Sequence, residues 1–329
     1  MRGAPLGLMS SSYPERNRSA WIIAHRPPRS AADPFTPHGY FLEEELSASH
    51  RLVSSAVILL TNKECPWRCL MCDLWKHTLT HSVPLGAIPR QIDYVLSRLP
   101  TLPEQVKLYN SGSFFDPAAI PLADYSEIAR KVSGAGHLVV ESHPRLIGKT
   151  ALKLRDLLAS SLEVAMGLET VHPEVLPRLN KGLTLSDFAK AVGFLRRHDI
   201  TVRAFVLLKP PFLNDAEGLD WAIRSARFAF ATGVEVVSVI PTRAGNGALD
   251  RLRETGEFTP PLLPTLEGAL ETLLEQRQGR VFADLWDLEQ FSTCAACFHQ
   301  RRRRLQQMNA QQIVPPKIRC PLCDHDQPR

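Results

Sequence analysis

From residue 50 onward, short β-branched and aliphatic runs alternate with stretches of helical period. Six runs read as strands: 55–61, 105–110, 137–141, 162–169, 201–208 and 234–240. Between them the apolar positions change period. Ile92, Val95, Leu96 and Leu99 recur at i, i+3, i+4 and i+7, and Phe188, Ala191, Val192 and Leu195 repeat the pattern. Thr184 and Ser186 precede the second helix as candidate caps. Six such units imply parallel strands joined by helical crossovers. Their number predicts an α/β fold built as a partial (β/α)6 barrel, open where eight units would close it. Functional groups in such folds collect at the C-terminal ends of the strands. Those ends read TNKEC, NSGSFFD, ESHP, GLETVHP, LKPPF and IPTRAGNG, all polar and rich in Gly or Pro.

Residues 1–50 are Pro-rich and irregular, with Trp21, Tyr40 and Phe41 as the few anchors, and read as an extension wrapped on a 51–290 core. Residues 256–264 read as a linker into a helix at 265–278, and residues 291–329 form a small tail. With 44% hydrophobic and 22% charged residues, the composition is that of a soluble globular protein. No apolar run approaches the roughly 18–20 residues of a membrane span. Residues 1–50 lack the apolar core of a secretory signal, and Glu15, Asp33 and Glu43–Glu45 argue against an organelle presequence, so a cytoplasmic location is expected. The net charge of +5 is uneven. Residues 294–329 hold seven Lys/Arg against Asp324 and Asp326, which leaves 32 basic and 32 acidic residues for the rest.

All seven cysteines fall in two groups, which points to metal in a reducing compartment rather than a disulfide framework. Cys65, Cys69 and Cys72 follow the first strand. Three thiolates on one tight loop can hold three irons of a [4Fe–4S] cluster and leave the fourth open to a small molecule. That arrangement suits S-adenosylmethionine (SAM), whose amino and carboxylate groups can chelate the open iron. The competing reading is a zinc site completed by His77 or His81. Such a site has no reason to sit on the first β–α loop of a barrel, whereas a substrate-binding cluster does.

In the tail, Cys294-x-x-Cys297 and Cys320-x-x-Cys323 are close to four-thiolate zinc spacing, with a second iron–sulfur cluster as the alternative. Between the pairs run Arg301, Arg302, Arg303 and Arg304. Four consecutive guanidinium groups predict phosphate contacts with nucleic acid. A solvated face or a surface for an acidic partner would read the same way.

The three-cysteine spacing after the first strand resembles the signature of the radical SAM superfamily, over roughly residues 50–290. Within it, TNKECPWRCLMCDLW, KLYNSGSFFDP, VVESHP, GLET with LNKG, and VLLKPPF look most like the radical SAM subunit of archaeosine synthase. That group is related to the radical SAM domain of the Elongator catalytic subunit and acts on tRNA. The resemblance implies that Cys65, Cys69 and Cys72 bind the cluster. It puts Met71 near the adenine in place of the usual aromatic residue, and Ser111, Gly112 and Ser113 by the methionyl amine without the common Gly-Gly-Glu. It makes Glu141 and Glu169 candidates for the amino group or ribose, and Arg203 a candidate for the methionyl carboxylate. Lys209 is a candidate substrate contact, ahead of Lys181. An electron donor such as a flavodoxin or ferredoxin, and a partner enzyme that prepares the substrate, are also implied. The expected activity is SAM cleavage to a 5′-deoxyadenosyl radical for modification of tRNA or another RNA. A small-molecule or peptide substrate is the alternative, and a non-catalytic zinc protein that binds nucleic acid is a third reading.

Overall fold

The computed structural model describes residues 11–323. Asp324, Asp326 and Arg329, counted in the tail's charge, lie outside the described residues, as do residues 1–10. One sheet of eight strands runs in chain order. Its strands are β1 (Gly39–Leu46), β2 (Leu52–Leu59), β3 (Gln105–Tyr109), β4 (His137–Glu141), β5 (Ser161–Glu169), β6 (Thr201–Leu208), β7 (Val236–Pro241) and β8 (Arg280–Ala283). The helices before and between β2 and β6 are α1 (Arg18–Ala24), α2 (Ala87–Leu96), α3 (Tyr125–Lys131), α4 (Lys149–Leu157), α5 (Val175–Arg178) and α6 (Leu185–Arg196). Four more follow: α7 (Asp215–Ala231), α8 (Ala248–Glu254), α9 (Leu263–Gln276) and α10 (Ala295–Gln311).

β2 through β8 pair in parallel, and β1 pairs antiparallel with β2. The six sequence-read strands are β2 to β7. Because side chains alternate along a strand, Ile58, Val106, Leu108, Leu138, Val140, Val164, Val202 and Val206 share one face. They join Ile88, Ile92, Phe188, Val192 and Leu270 from the helices in the main core. Thr184 caps α6 through a reciprocal pair with Asp187, as its position implied. Leu99 lies beyond α2, which ends before Ser97.

The opposite face of the strands holds charge. Arg203 makes a two-point contact with Glu45 (2.9 and 2.6 Å) and donates from Nε to Glu163 at 2.6 Å. Lys107 lies 2.6 Å from both Glu43 and Glu45. The side chains of Glu45, Lys107, Glu163 and Arg203 are 8% exposed or less, so their charges are compensated inside the protein. Burial pushes the Glu163 carboxyl up, but the Arg203 guanidinium more than offsets this and holds it at about 2. Glu45 is likewise held well below the usual carboxylate range by Arg203 and Lys107 against the cost of burial.

Residues 39–46 therefore overturn the reading of the first 50 residues as irregular. In sequence the Glu43–Glu45 run is only a cluster of acidic residues. In β1 its alternate members face the basic side chains of β3 and β6. Residues 18–24 are also ordered, as α1.

The free side of β8 is covered by side chains from α10. Asn309 accepts from the amide of Ala283 at 2.9 Å and donates to its carbonyl at 2.8 Å. Gln312, just past the helix end, does the same for Val281, at 2.7 Å each way. Two amide side chains thus replace a neighbouring strand and satisfy an edge that would otherwise be exposed. Leu305 and Met308 of α10 are fully buried in the main core.

Candidate active site and metal centre

The loop from β2 to α2 carries Cys65, Cys69 and Cys72 to the C-terminal edge of the sheet. Several loops pin it there. Leu70, fully buried, donates its amide to Leu179 O at 2.9 Å and accepts at its carbonyl from Asn246 Nδ2 at 2.8 Å. Asn180 Nδ2 donates to Arg68 O at 2.7 Å. Glu64, beside the first cysteine, pairs with Arg26 at 2.8 Å, with Arg29, and with Arg68 at 3.3 Å. Through Arg26 and Arg29 the N-terminal segment becomes a clamp on this loop. Burial pushes all three thiols up, Cys72 to about 12.

Opposite the loop runs the segment after β3. A Cβ added to Gly112 would sit 3.1 Å from Cys65 Cβ, so the small residue permits this approach. Glu141, ending β4, accepts the Asn110 amide at 2.5 Å and the Ser111 and Gly112 amides as well. Burial raises its pKa to about 7 against these bonds. Glu169, ending β5, pairs with Lys181 at 2.5 Å, both largely buried. A Cβ on Gly167 would fall 2.1 Å from Glu169 Oε1 and 2.3 Å from Lys181 Nζ, so this glycine makes room for the pair. Burial opposes the Lys181 charge, but Glu169 and the Cys69 thiol outweigh it and its pKa is raised. Ser111, Glu169 and Lys209 hold left-handed φ values of 52°, 65° and 52°. Strain of this kind in non-glycine residues gathers at functional sites; Ser111 follows β3 and Glu169 ends β5 at this edge, whereas Lys209 follows β6 into the α7 turn.

Cys65, Cys69, Cys72, Gly112, Glu141 and Glu169 are brought to this edge together with Ser111. Met71 packs against two apolar clusters, one that includes Ile22, Leu70 and Leu249 and one that includes Val175, Leu179 and Leu207. Ser113 is buried and its hydroxyl is spent on Ser142 Oγ at 2.7 Å. Two candidates are not brought here. Arg203 lies near the start of β6 in the charge layer, because the strand's alternation points it at Glu45 and Glu163. Lys209 is 2% exposed and its Nζ is held by Asp215 and Thr259 at 2.7 Å each, so it ties the β6–α7 turn rather than facing a substrate.

Sequence reading ranked Lys181 below Lys209, and the geometry reverses that order. It also passed over two features of the edge. Trp67, between the first two cysteines, stacks on His143 at 3.7 Å and 3° between planes. Burial lowers His143 to about 3, so the ring is neutral. Asn110 is fully buried, and neither polar atom of its side chain has a partner. An orphaned amide between the cysteine loop and Glu141, with the close approach at Gly112, fits a polar ligand bound at a cluster on the triad. No isolated residue type in the sequence announces these contacts.

The tail cysteines converge. Cys294, Cys297, Cys320 and Cys323 place their sulfurs within 4.8 Å of one another, the one such ligand group among the described residues. The triad forms no such group, alone or with His77 or His81. Instead His77 stacks on His38 at 4.8 Å.

The arginine run is divided by helical period. Arg302 and Arg303 are exposed. Arg301 and Arg304 are 8% and 3% exposed. Arg301 donates from Nε to Cys297 Sγ at 3.3 Å and pairs with Glu267. Arg304 pairs with Glu271 at 2.7 Å and donates to Pro315 O at 2.7 Å. The expectation of four phosphate contacts fails for these two, because one face of α10 is packed on α9.

No family model matches the chain. It is 24% identical over 254 residues to an uncharacterised protein of Methanocaldococcus jannaschii, covering 73% of this chain and 70% of that one. It is similar to two proteins named archaeosine synthase subunit beta. The one from Methanosarcina acetivorans is 26% identical over 63% of each chain. The one from Thermococcus kodakarensis is 32% identical over 49% of this chain and 52% of its own. The chain thus spans about half to two thirds of those two subunits. Among solved structures, coproporphyrinogen III oxidase of Escherichia coli, a radical SAM enzyme, matches with a TM-score of 0.46 at 12% identity, over 79% of this chain and 55% of that one. The three-cysteine loop at the C-terminal edge of a parallel α/β sheet and the similarity to two archaeosine synthase beta subunits agree with the resemblance to the radical SAM superfamily read from the sequence.

Proposed function

We propose that this enzyme cleaves SAM reductively and directs the product at a nucleoside of RNA, with tRNA as the substrate class. The observation that carries the reading is the convergence of Cys65, Cys69 and Cys72 on an edge lined by Gly112, Asn110, Glu141 and the Glu169–Lys181 pair. A [4Fe–4S] cluster held by Cys65, Cys69 and Cys72 would supply the electron for reductive cleavage of the SAM sulfonium. The chain's own residues do the positioning. The three cysteines hold the cluster, and Asn246 and Asn180 fix the loop that bears them. Asn110 offers an unspent donor and acceptor to the polar end of SAM. Lys181 sets a fixed positive charge beside the thiolates. The RNA target is supported by what the two related subunits are named. The word subunit in those names supports a partner protein, and a flavodoxin or ferredoxin would supply the electron.

For the tail we propose one zinc ion on Cys294, Cys297, Cys320 and Cys323. A tetrahedron with arms of ~2.3 Å has edges of ~3.8 Å. Cys294 Sγ lies 3.8 Å from Cys320 Sγ, and Cys297 Sγ lies 3.7 Å from Cys323 Sγ.

Burial of Arg301 and Arg304 favours a second reading, with a small molecule or peptide as substrate and the tail as a structural element. One comparison separates the two: modified nucleosides in total RNA from cells with and without the protein. Loss of a nucleoside that returns with the wild type, but not with Cys65, Cys69 and Cys72 changed together to Ala, supports RNA. An unchanged profile favours the second reading.

A further inference from the structure

With half of the arginine run buried, a phosphate backbone needs another surface, and one lies beside the cysteine loop. Residues 144–147, α6 and Arg197 just past its end line an open surface cavity of about 310 Å³. Arg145, Lys190 and Arg197 supply three cations to its wall, and Asp187 the one acid. Asp187 already accepts the Thr184 amide at 3.2 Å in the α6 cap and lies 3.7 Å from Arg145, so two positive charges stay uncompensated within the cavity. Ile147 and Phe194 give it an apolar wall. The cavity adjoins the candidate active site. Arg145 is two residues from His143, whose ring stacks on Trp67. A Cβ on Gly182 would touch both Trp67 (3.3 Å) and Arg145 (3.9 Å), so no element stands between them.

We infer that this cavity binds a backbone phosphate and the adjoining nucleotide of a single-stranded RNA segment whose target nucleoside enters at the cysteine loop. The inference rests on the RNA reading above and gives that RNA its path, over the β4–β5 side of the mouth instead of the tail. Guanidinium groups beside an aromatic wall suit a nucleotide, since phosphate takes the cations and a base or ribose takes the ring. An acidic peptide would use the charges and leave Phe194 idle.

The test measures fluorescence anisotropy of a labelled single-stranded oligouridylate on the metal-loaded protein across a salt series. Three proteins are compared: wild type, Arg145→Gln/Lys190→Gln/Arg197→Gln, and Arg302→Gln/Arg303→Gln. All the substituted side chains are at the surface, and matching circular dichroism and iron content confirm folding. Each lost single-strand phosphate contact removes about 0.7 from the log–log salt slope. The triple variant is expected to lose about 0.7 from the slope, for the one phosphate the cavity holds, and bind at least roughly tenfold more weakly at low salt, with the tail variant close to wild type. Wild-type slope and affinity in the triple variant overturn the inference while leaving RNA binding intact. A loss confined to the tail variant overturns it in favour of the exposed tail arginines, and equal competition by polyglutamate overturns it in favour of an acidic polypeptide. If the wild type itself binds no RNA, the RNA reading falls and takes this inference with it.

Discussion

Arg301→Met should be among the more damaging single changes far from the cysteine triad. The side chain is buried between α10 and α9, donating to Cys297 Sγ and pairing with Glu267, which is itself 4% exposed. Removing one partner of a buried pair costs about 3–5 kcal/mol, because the other charge stays behind uncompensated. Here Arg304 remains 3.6 Å from Glu267 and offsets part of that, which brings the loss to about 2–3 kcal/mol. A chain of this size loses about 2 °C in Tm per kcal/mol, so the midpoint should fall by about 4–6 °C. The double variant Arg301→Met/Glu267→Met removes both charges and should recover most of the loss, since an apolar pair of similar volume replaces an ion pair at little cost. Thermal unfolding of the metal-loaded proteins at pH 7, kept anaerobic, measures both. The hydrogen bond to sulfur stays lost in the double variant, so metal release to a chromogenic chelator should remain faster than wild type in both. A single variant within 1 °C of wild type, or a double variant as unstable as the single one, would refute the argument that Arg301 serves as a buried counter-charge.

Two further outcomes follow from the geometry. Glu45 and Glu163 are held below their ordinary pKa by Arg203 and Lys107, so the stability they contribute is complete above the usual carboxylate range of about 4–5 and is lost as pH falls toward about 2. Urea midpoints from pH 7 to 3 should drop over that acid limb in wild type and much less in Glu163→Gln, which starts lower at pH 7; parallel curves would contradict this. In the tail, metal analysis should give about one zinc per chain that persists when the triad is changed to Ala, and chelating it should speed hydrogen exchange at the Val281 and Ala283 amides as α10 loosens from β8. Iron and acid-labile sulfide in the triad variant would identify a second cluster instead.

Local spacing carried much of this protein's architecture. The alternation of aliphatic runs with helical periods determined β2 to β7 and their order, because each element's buried face is written in its own residues. Cys65, Cys69 and Cys72 were legible for the same reason: one loop holds all three, and a metal needs ligands near one another. The tail pairs Cys294–Cys297 and Cys320–Cys323 were legible as pairs, and the fold brought their sulfurs together.

Tertiary structure alone decided where the charges go. Glu43–Glu45 and Arg301–Arg304 are both charged runs whose partners a linear reading does not name. A strand of period two turns Glu43 and Glu45 toward Lys107 and Arg203, and a helix of period 3.6 turns Arg301 and Arg304 toward Glu267 and Glu271. Which half of such a run is buried depends on an element far away in sequence, as α9 is for α10 and β6 for β1. The same holds for the site edge. Arg203 and Lys209 sit on the right strand, but one belongs to the charge layer near the strand's start and the other to the α7 turn. Lys181, from the loop before α6, reaches Glu169 because Gly167 on β5 leaves the pair space. Distances across a sheet set these partners, and no spacing along the chain encodes them.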